Sequence, residues 1–415
     1  MRILFVCNPL FGHLYPLLPL ARAAKMAGHA VVVATGADIA PLAQRDGLDT
    51  WSVGMTHSQA GGDNQASWLD YFEMGARERI VQLTPRCCAW HPDLVIHEET
   101  ELAGPVVAAS IGVRSIVHGL GPMLPVRLLP WVARAIERLA PRGSAAELVE
   151  VWRGGAYLHL CPPGLAPAEE PIWRDVLPLR PMTPGGVCEP ALVRRMEALP
   201  HARTVFLTLG TVYGGNTAAL AAAVKGLSSL EVNLIVAVGP KADPLRHEGY
   251  GKHVLIERLV PLASVLARCD GVVSQGGSGV MFGALALGLP QLMLPQGADQ
   301  FRNAEVCTAT GAALALAPQV ATPEAIGNGV QRILAEGCFA RAAQVLREQI
   351  DAMPDADAVV AVLGATAGSL GGHPAAKQLG VPQSTMMNWV RRNRCQDCRP
   401  PPSRSPGCAL DRPHN

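Results

Sequence analysis

The sequence has no long apolar run, no excess of one charge and no regular cysteine spacing. None of its apolar runs approaches the roughly 18 residues of a membrane-spanning helix, so we expect no membrane-spanning segment. Lysine and arginine total 35 against 34 aspartate and glutamate, a formal net charge of +1, which argues against a chain-wide nucleic-acid binder. Of the 415 residues, 49% are hydrophobic and 17% are charged, which excludes intrinsic disorder.

The 11 cysteines are odd in number and scattered without the spacing of a disulfide framework. The apolar opening stretch does not resemble a secretory signal, because Asn8-Pro9 and Gly12-His13 interrupt it and no small-residue cleavage site follows. We therefore expect free thiols in a reducing compartment and a cytoplasmic protein.

The even charge balance conceals a basic tail. Residues 371–415 hold seven basic and two acidic side chains, a net charge of +5, so the rest of the chain carries −4. Residues 374–392 resemble a transposase-type helix-turn-helix without its third helix, and Cys395-x-x-Cys398 lacks a second ligand pair for zinc. We expect an appendage without a catalytic role, with nucleic-acid binding through this tail as an alternative.

Short apolar runs alternate with helical patterns along most of the chain. The run Arg2–Val6 is followed by a glycine-containing turn, a helical pattern over residues 16–26 and a second apolar run at residues 30–34. Strand, helix and strand form a βαβ unit, which predicts a parallel sheet covered by helices. The pattern recurs from Leu94 and again from Thr204.

These repeats predict an α/β protein with two Rossmann-like, doubly wound domains that face each other across a cleft. Ligands of parallel sheets bind beyond the carboxyl ends of the strands, so we expect the site in this cleft. The predicted division is a first domain at 1–180, a linker at 181–202, a second domain at 203–354, a helix at 355–370 and the tail at 371–415. The polar segment Met55–Ala66 predicts a loop.

The most informative segment is Arg258–Asn303. The predicted strand Gly271–Ser274 leads into Gln275-Gly-Gly-Ser-Gly279 and then into a helix. Backbone N–H groups and a helix end at such a turn favour phosphate, although a tight turn alone also explains the glycines. Further along the segment stand Ala284-Leu285, Gly288, Pro290, Pro295, Asp299-Gln300 and Asn303-Ala304.

This segment resembles the nucleotide-sugar signature of glycosyltransferases with the two-domain GT-B fold. It is most similar to the bacterial branch that decorates polyketides and other secondary metabolites. The resemblance covers about residues 1–366 and implies that the C-terminal helix crosses back onto the first domain. The donor-binding residues that it implies are Thr211, Leu259, Val260, Gln275, Gly276, Gly277, Ser278, Gly279, Asp299 and Gln300.

The implied roles differ along that set. The glycine turn would present N–H groups to the diphosphate, with Thr211 as a further phosphate donor, and Leu259-Val260 would lie beside the nucleobase. Asp299 and Gln300 would bind the hydroxyls of the donor sugar. For Asp299, an N-cap role before the next helix is an alternative. Arg180, in a segment that resembles the family's interdomain linker, either faces the diphosphate or lies on the surface.

Three departures from the family pattern affect the donor site. Gln275 replaces a histidine, Val280 replaces a threonine, and Gly283 replaces the glutamate that binds ribose hydroxyls in many UDP-sugar users. The missing carboxylate favours a dTDP-sugar over a UDP-sugar. Gln275 and Val280 also motivate an alternative, a catalytically weak helper protein that is derived from the family and stabilises a partner enzyme.

The amino-terminal half resembles the same family. Gly12-His13-x-x-Pro16 matches its first loop, which implies that His13 is the general base. The segment from His91 to Glu98 resembles the family's Pro-Asp-Leu-Val-Val-His-Asp, so Glu98 stands where an aspartate orients the base. Glu101 is a second candidate for that role.

The acceptor site is less clearly marked. Trp68, Tyr71 and Phe72, with Met74, fall in a region that lines the acceptor site in relatives, although their helical spacing also suits core packing. We predict an inverting glycosyltransferase of antibiotic and other secondary metabolism. It would move a sugar or deoxysugar from a dTDP- or UDP-sugar to a small lipophilic acceptor, without a metal or another cofactor. A nucleotide sugar and an aglycone are the expected partners, no membrane or nucleic acid is expected, and homodimerisation stays open.

Overall fold

The computed structural model describes residues 1–60, 68–139, 152, 156–165, 173, 175–183, 188–210, 217–239 and 249–366. The predicted α/β architecture is confirmed, because the strands form a seven-stranded and a six-stranded sheet whose neighbouring strands all pair in parallel. The basic tail, Thr211 and residues 61–66 of the predicted loop lie outside the described ranges.

The amino-terminal sheet has the strand order β3-β2-β1-β4-β5-β6-β7. Its strands are β1 (Arg2–Val6), β2 (Ala30–Thr35), β3 (Asp49–Ser52), β4 (Leu94–Glu98), β5 (Ser115–His118), β6 (Tyr157–His159) and β7 (Val176–Pro178). Strand β1 lies between β2 and β4, with Ile3 opposite Val31 on one side and Leu94 on the other. Its nearly continuous apolar sequence fits a strand that is covered on both faces.

The carboxyl-terminal sheet has the order β10-β9-β8-β11-β12-β13. Its strands are β8 (Thr204–Thr208), β9 (Asn233–Ala237), β10 (Val254–Glu257), β11 (Gly271–Ser274), β12 (Gln291–Met293) and β13 (Ala313–Ala315). In each sheet the order changes direction beside the first strand, between β1 and β4 and between β8 and β11. Loops that leave the carboxyl ends of strands at such a switch point form the ligand crevice of doubly wound folds.

Helices cover both sheets. They are α1 (Phe11–Leu14), α2 (Leu18–Met26), α3 (Ala40–Arg45), α4 (His57–Ala60), α5 (Trp68–Trp90), α6 (Ala103–Ser110), α7 (Leu129–Leu139), α8 (Pro190–Glu197), α9 (Thr217–Leu227), α10 (Leu262–Leu266), α11 (Ser278–Leu285), α12 (Gln300–Ala309), α13 (Pro323–Ala335), α14 (Gly337–Asp351) and α15 (Ala356–Thr366). Helix α2 begins two residues later than the pattern at residue 16 predicts, and α4 lies inside the segment predicted to be a loop.

Helices near the end of the chain contact the amino-terminal half. Helix α15 packs against α2 of the amino-terminal half, and the Gln349 side chain on α14 accepts a hydrogen bond from the Gly164 N–H at 2.7 Å. Arg180 is neither a free surface arginine nor a residue facing a diphosphate. Its guanidinium donates to the backbone carbonyls of Asp351 and Met353, at 2.7 Å and 3.0 Å from Nη2, so it binds the end of α14 and the turn that follows it.

Within the described ranges, no helix is both long and apolar enough to cross a membrane. The cysteines in those ranges are all free.

Candidate active site

The proposed base lies directly beyond the carboxyl end of β1. Asn8 and Pro9 end the strand, and the short helix α1 then carries His13, whose side chain is 16% exposed. Glu98 is the last residue of β4, the neighbouring strand, and its side chain is completely buried. His13 Nδ1 lies 2.9 Å from Glu98 Oε1. Because β1 and β4 are adjacent, two residues 85 positions apart meet at the switch point.

Both oxygens of Glu98 accept several hydrogen bonds. Oε1 accepts from the Asn8 backbone N–H at 3.2 Å and from Asn8 Nδ2 at 2.6 Å, and Oε2 accepts from the Thr100 N–H at 2.7 Å and its hydroxyl at 2.8 Å. Burial raises the pKa of Glu98, but the charge and hydrogen bond of His13 and the bonds from Thr100 outweigh it and lower the pKa to about 2. Since an ionised carboxylate only accepts, His13 Nδ1 is the donor.

Glu101 has a different partner. Its Oε1 accepts from Arg79 Nε at 2.9 Å, with both side chains buried, and from the Ala103 N–H at 2.9 Å, while Oε2 accepts from the Gly104 N–H at 2.6 Å. Glu101 therefore caps α6 and pairs with Arg79. The structure brings Glu98, the first of the two candidates, to His13.

The sequence analysis missed three side chains around this pair. Asn8 and Thr100 bind Glu98 directly, and the neighbouring Glu99 accepts a hydrogen bond from the Tyr157 hydroxyl at 2.7 Å. Burial, with the nearby Glu98 charge, raises the pKa of Glu99 to about 8 against the opposing effect of the Tyr157 bond. The cluster Glu98-Glu99-Thr-Glu101 at the end of a buried strand was the only sequence signal for these contacts.

The glycine turn after β11 forms as the motif predicts. Gly276 has a φ of +84°, a left-handed conformation that favours glycine, and Gly277 is the N-cap of α11. The first N–H groups of α11 and its positive end suit an anion. Gly279, in the first turn of α11, is exposed, and a Cβ added there would meet no atom within 4 Å.

Gln275, which replaces the family's histidine, lies under this turn. Its side chain is buried, and its amide lies next to Gly210, at the end of the β8 segment, and to Gly277. Oε1 has no hydrogen-bond partner within the described ranges. Gln275 therefore places a neutral amide between the first strand of the second half and the glycine turn.

Asp299 occupies the N-cap position of α12, but its side chain makes no capping bond. Its Oδ2 instead accepts from the Ser278 hydroxyl at 3.0 Å and from Asn303 Nδ2 at 2.8 Å. Asn303, completely buried, also donates to the Gly276 carbonyl at 2.8 Å. These bonds join the glycine turn to the Asp299 loop, and the sequence analysis noted Asn303 only as part of the motif.

Gln300 is buried and holds the loop before it. Its Oε1 accepts from the N–H groups of Gln296 at 2.8 Å and Gly297 at 3.2 Å. Because this oxygen is occupied, only the amide NH₂ of Gln300 is left to donate to a ligand.

The remaining donor-site positions differ in their exposure and in the space around them. Leu259 is 58% exposed, unusual for a leucine, whereas Val260 packs against an apolar cluster. A Cβ at Gly283 would lie 2.9 Å from Thr183 Oγ1 and 3.0 Å from Leu266 Cδ1. Position 283 thus has no room for a side chain that reaches a ribose. Val280 is half-buried against the same apolar cluster.

The predicted acceptor residues lie on α5. Phe72 is nearly buried, and its ring centroid lies 5.6 Å from that of His13. Tyr71 and Phe72 are buried in one apolar cluster of the amino-terminal half, where their rings meet edge-on. Met74 is 53% exposed, and the side chain of Trp68 lies outside what the structure describes. Phe72 is the acceptor candidate that the fold places beside the base.

The two halves of the site meet at Gly121. This glycine follows β5, and its Cα approaches Ser278 so closely that an added Cβ would overlap the Ser278 hydroxyl. Oδ1 of Asn303 also lies near, at 3.5 Å from that Cβ position. The amino-terminal loops therefore contact the Ser278–Asp299–Asn303 cluster.

Comparison with known proteins gives consistent results over most of the chain. The family model for the erythromycin biosynthesis protein CIII-like C-terminal domain matches residues 222–366. L-demethylnoviosyl transferase of Streptomyces niveus is 31% identical, over 76% of this chain and 85% of that protein. Elloramycin glycosyltransferase ElmGT of Streptomyces olivaceus is 30% identical, over 85% of this chain and 94% of that protein.

Solved structures agree in fold. The spinosyn rhamnosyltransferase SpnG complexed with thymidine diphosphate is similar with a TM-score of 0.74 and 25% identity, over 88% of this chain and 100% of that chain. SnogD, a glycosyltransferase from Streptomyces nogalater, has a TM-score of 0.72 and 25% identity, over 89% of this chain and 99% of that chain.

Proposed function

Because the chain belongs to the family of bacterial glycosyltransferases that attach sugars to antibiotics, we propose that it transfers a deoxysugar from a dTDP-sugar to a hydroxyl group of a small lipophilic natural product, with inversion. The observation that carries this proposal is the 2.9 Å contact between His13 Nδ1 and the buried Glu98 carboxylate; the other half of the chain supplies a glycine turn suited to phosphate.

The acceptor proton goes to His13. Glu98 binds Nδ1, so Nε2 is the ring nitrogen left to take the proton from the acceptor hydroxyl. The carboxylate then stabilises the imidazolium that forms. Phe72 gives the acceptor an apolar surface beside the ring.

The new bond joins the acceptor oxygen to the anomeric carbon, and the bond from that carbon to the diphosphate oxygen breaks on the opposite side. The electron pair of the broken bond leaves with dTDP. The N–H groups of the turn and the positive end of α11 stabilise the charge of the departing diphosphate. We propose that no metal is required, because these fixed dipoles supply the stabilisation.

The nucleotide preference follows from Gly283. In this chain position 283 is closed by Thr183 and Leu266, so it offers no carboxylate to a ribose 2′-hydroxyl. SpnG has been solved with thymidine diphosphate, and dTDP lacks that hydroxyl. Both observations favour a dTDP-sugar.

Calorimetric titration with dTDP and with UDP, each with EDTA and with Mg²⁺, tests the donor. We expect dTDP to bind more tightly than UDP and equally well in both buffers. Tighter binding of UDP would contradict the dTDP assignment, and dependence on Mg²⁺ would contradict the metal-independent mechanism.

Gly279→Leu locates the diphosphate. The added side chain meets no protein atom at its Cβ, so we expect a folded protein that has lost dTDP binding. Gly364→Leu is the matched control, since Gly364 is also helical with open space at its Cβ. Unchanged dTDP binding in Gly279→Leu would place the diphosphate elsewhere.

A further inference from the structure

A buried polar network continues from Glu98 to the acceptor-side helix α5. Asn8 is completely buried and donates from Nδ2 to Glu98 Oε1 at 2.6 Å. The Asn8 Oδ1 atom accepts from the Arg79 guanidinium, and Arg79 pairs with Glu101 at 2.9 Å. His13, Glu98, Asn8, Arg79 and Glu101 thus form one connected chain of hydrogen bonds.

The donor and acceptor chemistry of this chain permits one orientation of the Asn8 amide. A guanidinium only donates and an ionised carboxylate only accepts. Oδ1 must therefore face Arg79, and Nδ2 must face Glu98. If the amide turned over, two oxygens would oppose each other at Glu98 and two donors at Arg79, each buried and unsatisfied.

The surrounding backbone makes room for Arg79. A Cβ at Gly54 would lie 2.6 Å from Arg79 Cγ, and one at Gly75 would lie 3.2 Å from Arg79 Nη1. Arg79 itself is completely buried. A buried ion pair adds little net stability compared with well-packed apolar side chains. We therefore infer that the role of this pair is to hold the neighbouring side chains in position.

Helical spacing connects this arginine to the acceptor. Phe72, Gly75 and Arg79 are three and then four residues apart, so they share one face of α5. Phe72 contacts the His13 ring, and Arg79 anchors the Asn8 amide that holds Glu98. One helix therefore contacts both the proposed base and the support of its carboxylate.

We propose that Asn8 and Arg79 are positioning residues that aim the Glu98 carboxylate at His13 Nδ1 and thereby set the ring tautomer of the proposed base. This inference rests on the proposed function for its catalytic meaning. The contact itself can be tested without a substrate. With a neutral His13, the buried Glu98, Glu101 and Arg79 carry one net negative charge, which the proton taken by His13 neutralises.

The test is the tautomer of His13, measured in the full chain by long-range ¹H–¹⁵N correlation NMR with ¹⁵N-labelled histidine. At about pH 8.5 an ordinary imidazole is neutral, and the two nitrogen shifts identify the protonated nitrogen. The His13 signals are assigned from their absence in His13→Gln. We expect Nδ1 to carry the proton in the wild-type protein, and Glu98→Gln to abolish that preference.

Two variants remove the support without touching His13 or Glu98. Asn8→Leu keeps the approximate shape of the side chain, and the double variant Arg79→Met with Glu101→Gln removes the ion pair without leaving a buried charge. We expect both to move the proton of His13 toward Nε2. The matched control is Arg138→Met with Glu73→Gln, an ion pair between α5 and α7 whose arginine is exposed, which should keep the wild-type tautomer.

Circular dichroism and dTDP titration on the same samples separate the outcomes. A folded Asn8→Leu or double variant that keeps Nδ1 protonated as in the wild type would overturn the proposal, as would a Glu98→Gln variant with the wild-type tautomer. Failure of the wild-type protein to bind dTDP would count against the proposed function and leave the tautomer result standing.

Discussion

The two halves of the chain bury different kinds of polar side chains. In the amino-terminal half, the fully or nearly buried polar residues include the ionisable side chains Arg79, His97, Glu98, Glu99, Glu101, His118 and His159. In the described part of the carboxyl-terminal half, the buried polar residues are the neutral side chains Thr208, Asn233, Ser274, Gln275, Gln291, Gln300, Asn303 and Gln349. Two halves with similar folds thus differ in the polar side chains that they bury.

The difference fits the two tasks that we propose. A base must change its charge during the reaction, so it needs ionisable neighbours whose protonation is set by burial and hydrogen bonds. A diphosphate already carries its charge, and fixed backbone donors can bind it. Gln275 in place of a histidine extends this neutrality to a donor-site position where the family has an ionisable group.

Acidification should produce the largest difference in stability between the two halves. Burial lowers the pKa of His118 and His159 to about 4, below the value of about 6.5 in an unfolded chain. Between these pH values the unfolded chain binds more protons, so stability falls as the pH drops from 6.5 toward 4, by up to roughly 3 kcal/mol per histidine. Glu99 has the opposite sign: its folded pKa of about 8 is raised, so its contribution is lost as the pH rises toward 8.

Hydrogen exchange followed by mass spectrometry at about pH 7 and pH 5 measures this, after correction for intrinsic exchange rates. We expect β4, β5 and β6 to lose protection at the lower pH while β8 and β11 keep it. Equal losses in both sheets would show that the buried histidines do not control acid stability.

Removal of the base should have the next largest effect. We expect His13→Gln to lower the kcat of sugar transfer about 1,000-fold, because general base catalysis contributes 10²–10⁴. The dTDP affinity of this variant should stay unchanged, since the proposed diphosphate site lies in the other half of the chain. The readouts are product formation by mass spectrometry and calorimetry, with His201→Gln as the histidine control. A loss of less than about tenfold would argue against His13 as the base.

Changes at Glu98 should be milder. We expect Glu98→Gln to lower kcat about 100-fold, since an amide does not stabilise the imidazolium. Glu98→Asp should lower it about tenfold, because a carboxylate one methylene shorter cannot keep its contacts with both His13 and Thr100. The comparison of kcat for the two variants at constant donor KM measures this. An Asp variant as active as the wild type would show that the longer side chain is not required.

The smallest effect is expected on the donor side. Asp299→Asn should weaken binding of a dTDP-sugar about tenfold, through the loss of a charged hydrogen bond to a sugar hydroxyl. Binding of dTDP itself should change little. Calorimetry with dTDP-glucose and with dTDP measures the difference, and Asp351→Asn, an exposed aspartate on α14, is the control. Equal weakening of both ligands would instead assign Asp299 to the diphosphate.

Much of the fold could be predicted because its signals are local. The apolar runs of β1, β2 and β11 were predicted to within a residue, and β4 and β8 begin at Leu94 and Thr204, where the sequence pattern was predicted to recur. The missed strands β3, β6, β7 and β13 have three or four residues each, and β3, β7 and β13 are at sheet edges. Such short strands owe their conformation to a neighbour, so their own sequence carries little signal.

The candidate site shows the same limit. The donor-site motif identified the glycine turn at Gly276-Gly277 and, separately, Asp299, because each is marked by its neighbours in the sequence, and the first-loop motif selected His13. It left Glu98 and Glu101 as alternatives, because which carboxylate reaches a histidine 85 residues away depends on strand pairing.

By itself the sequence determined the two parallel α/β domains, the glycine turn and the identity of the groups that carry charge. Only the tertiary structure decided that Glu98 contacts His13, that Glu101 pairs with Arg79, and that Asn8 joins Glu98 to Arg79. The physical reason is that apolar periodicity and turns act over a few residues. A buried polar contact is instead decided by which side chains the folded chain brings together without water.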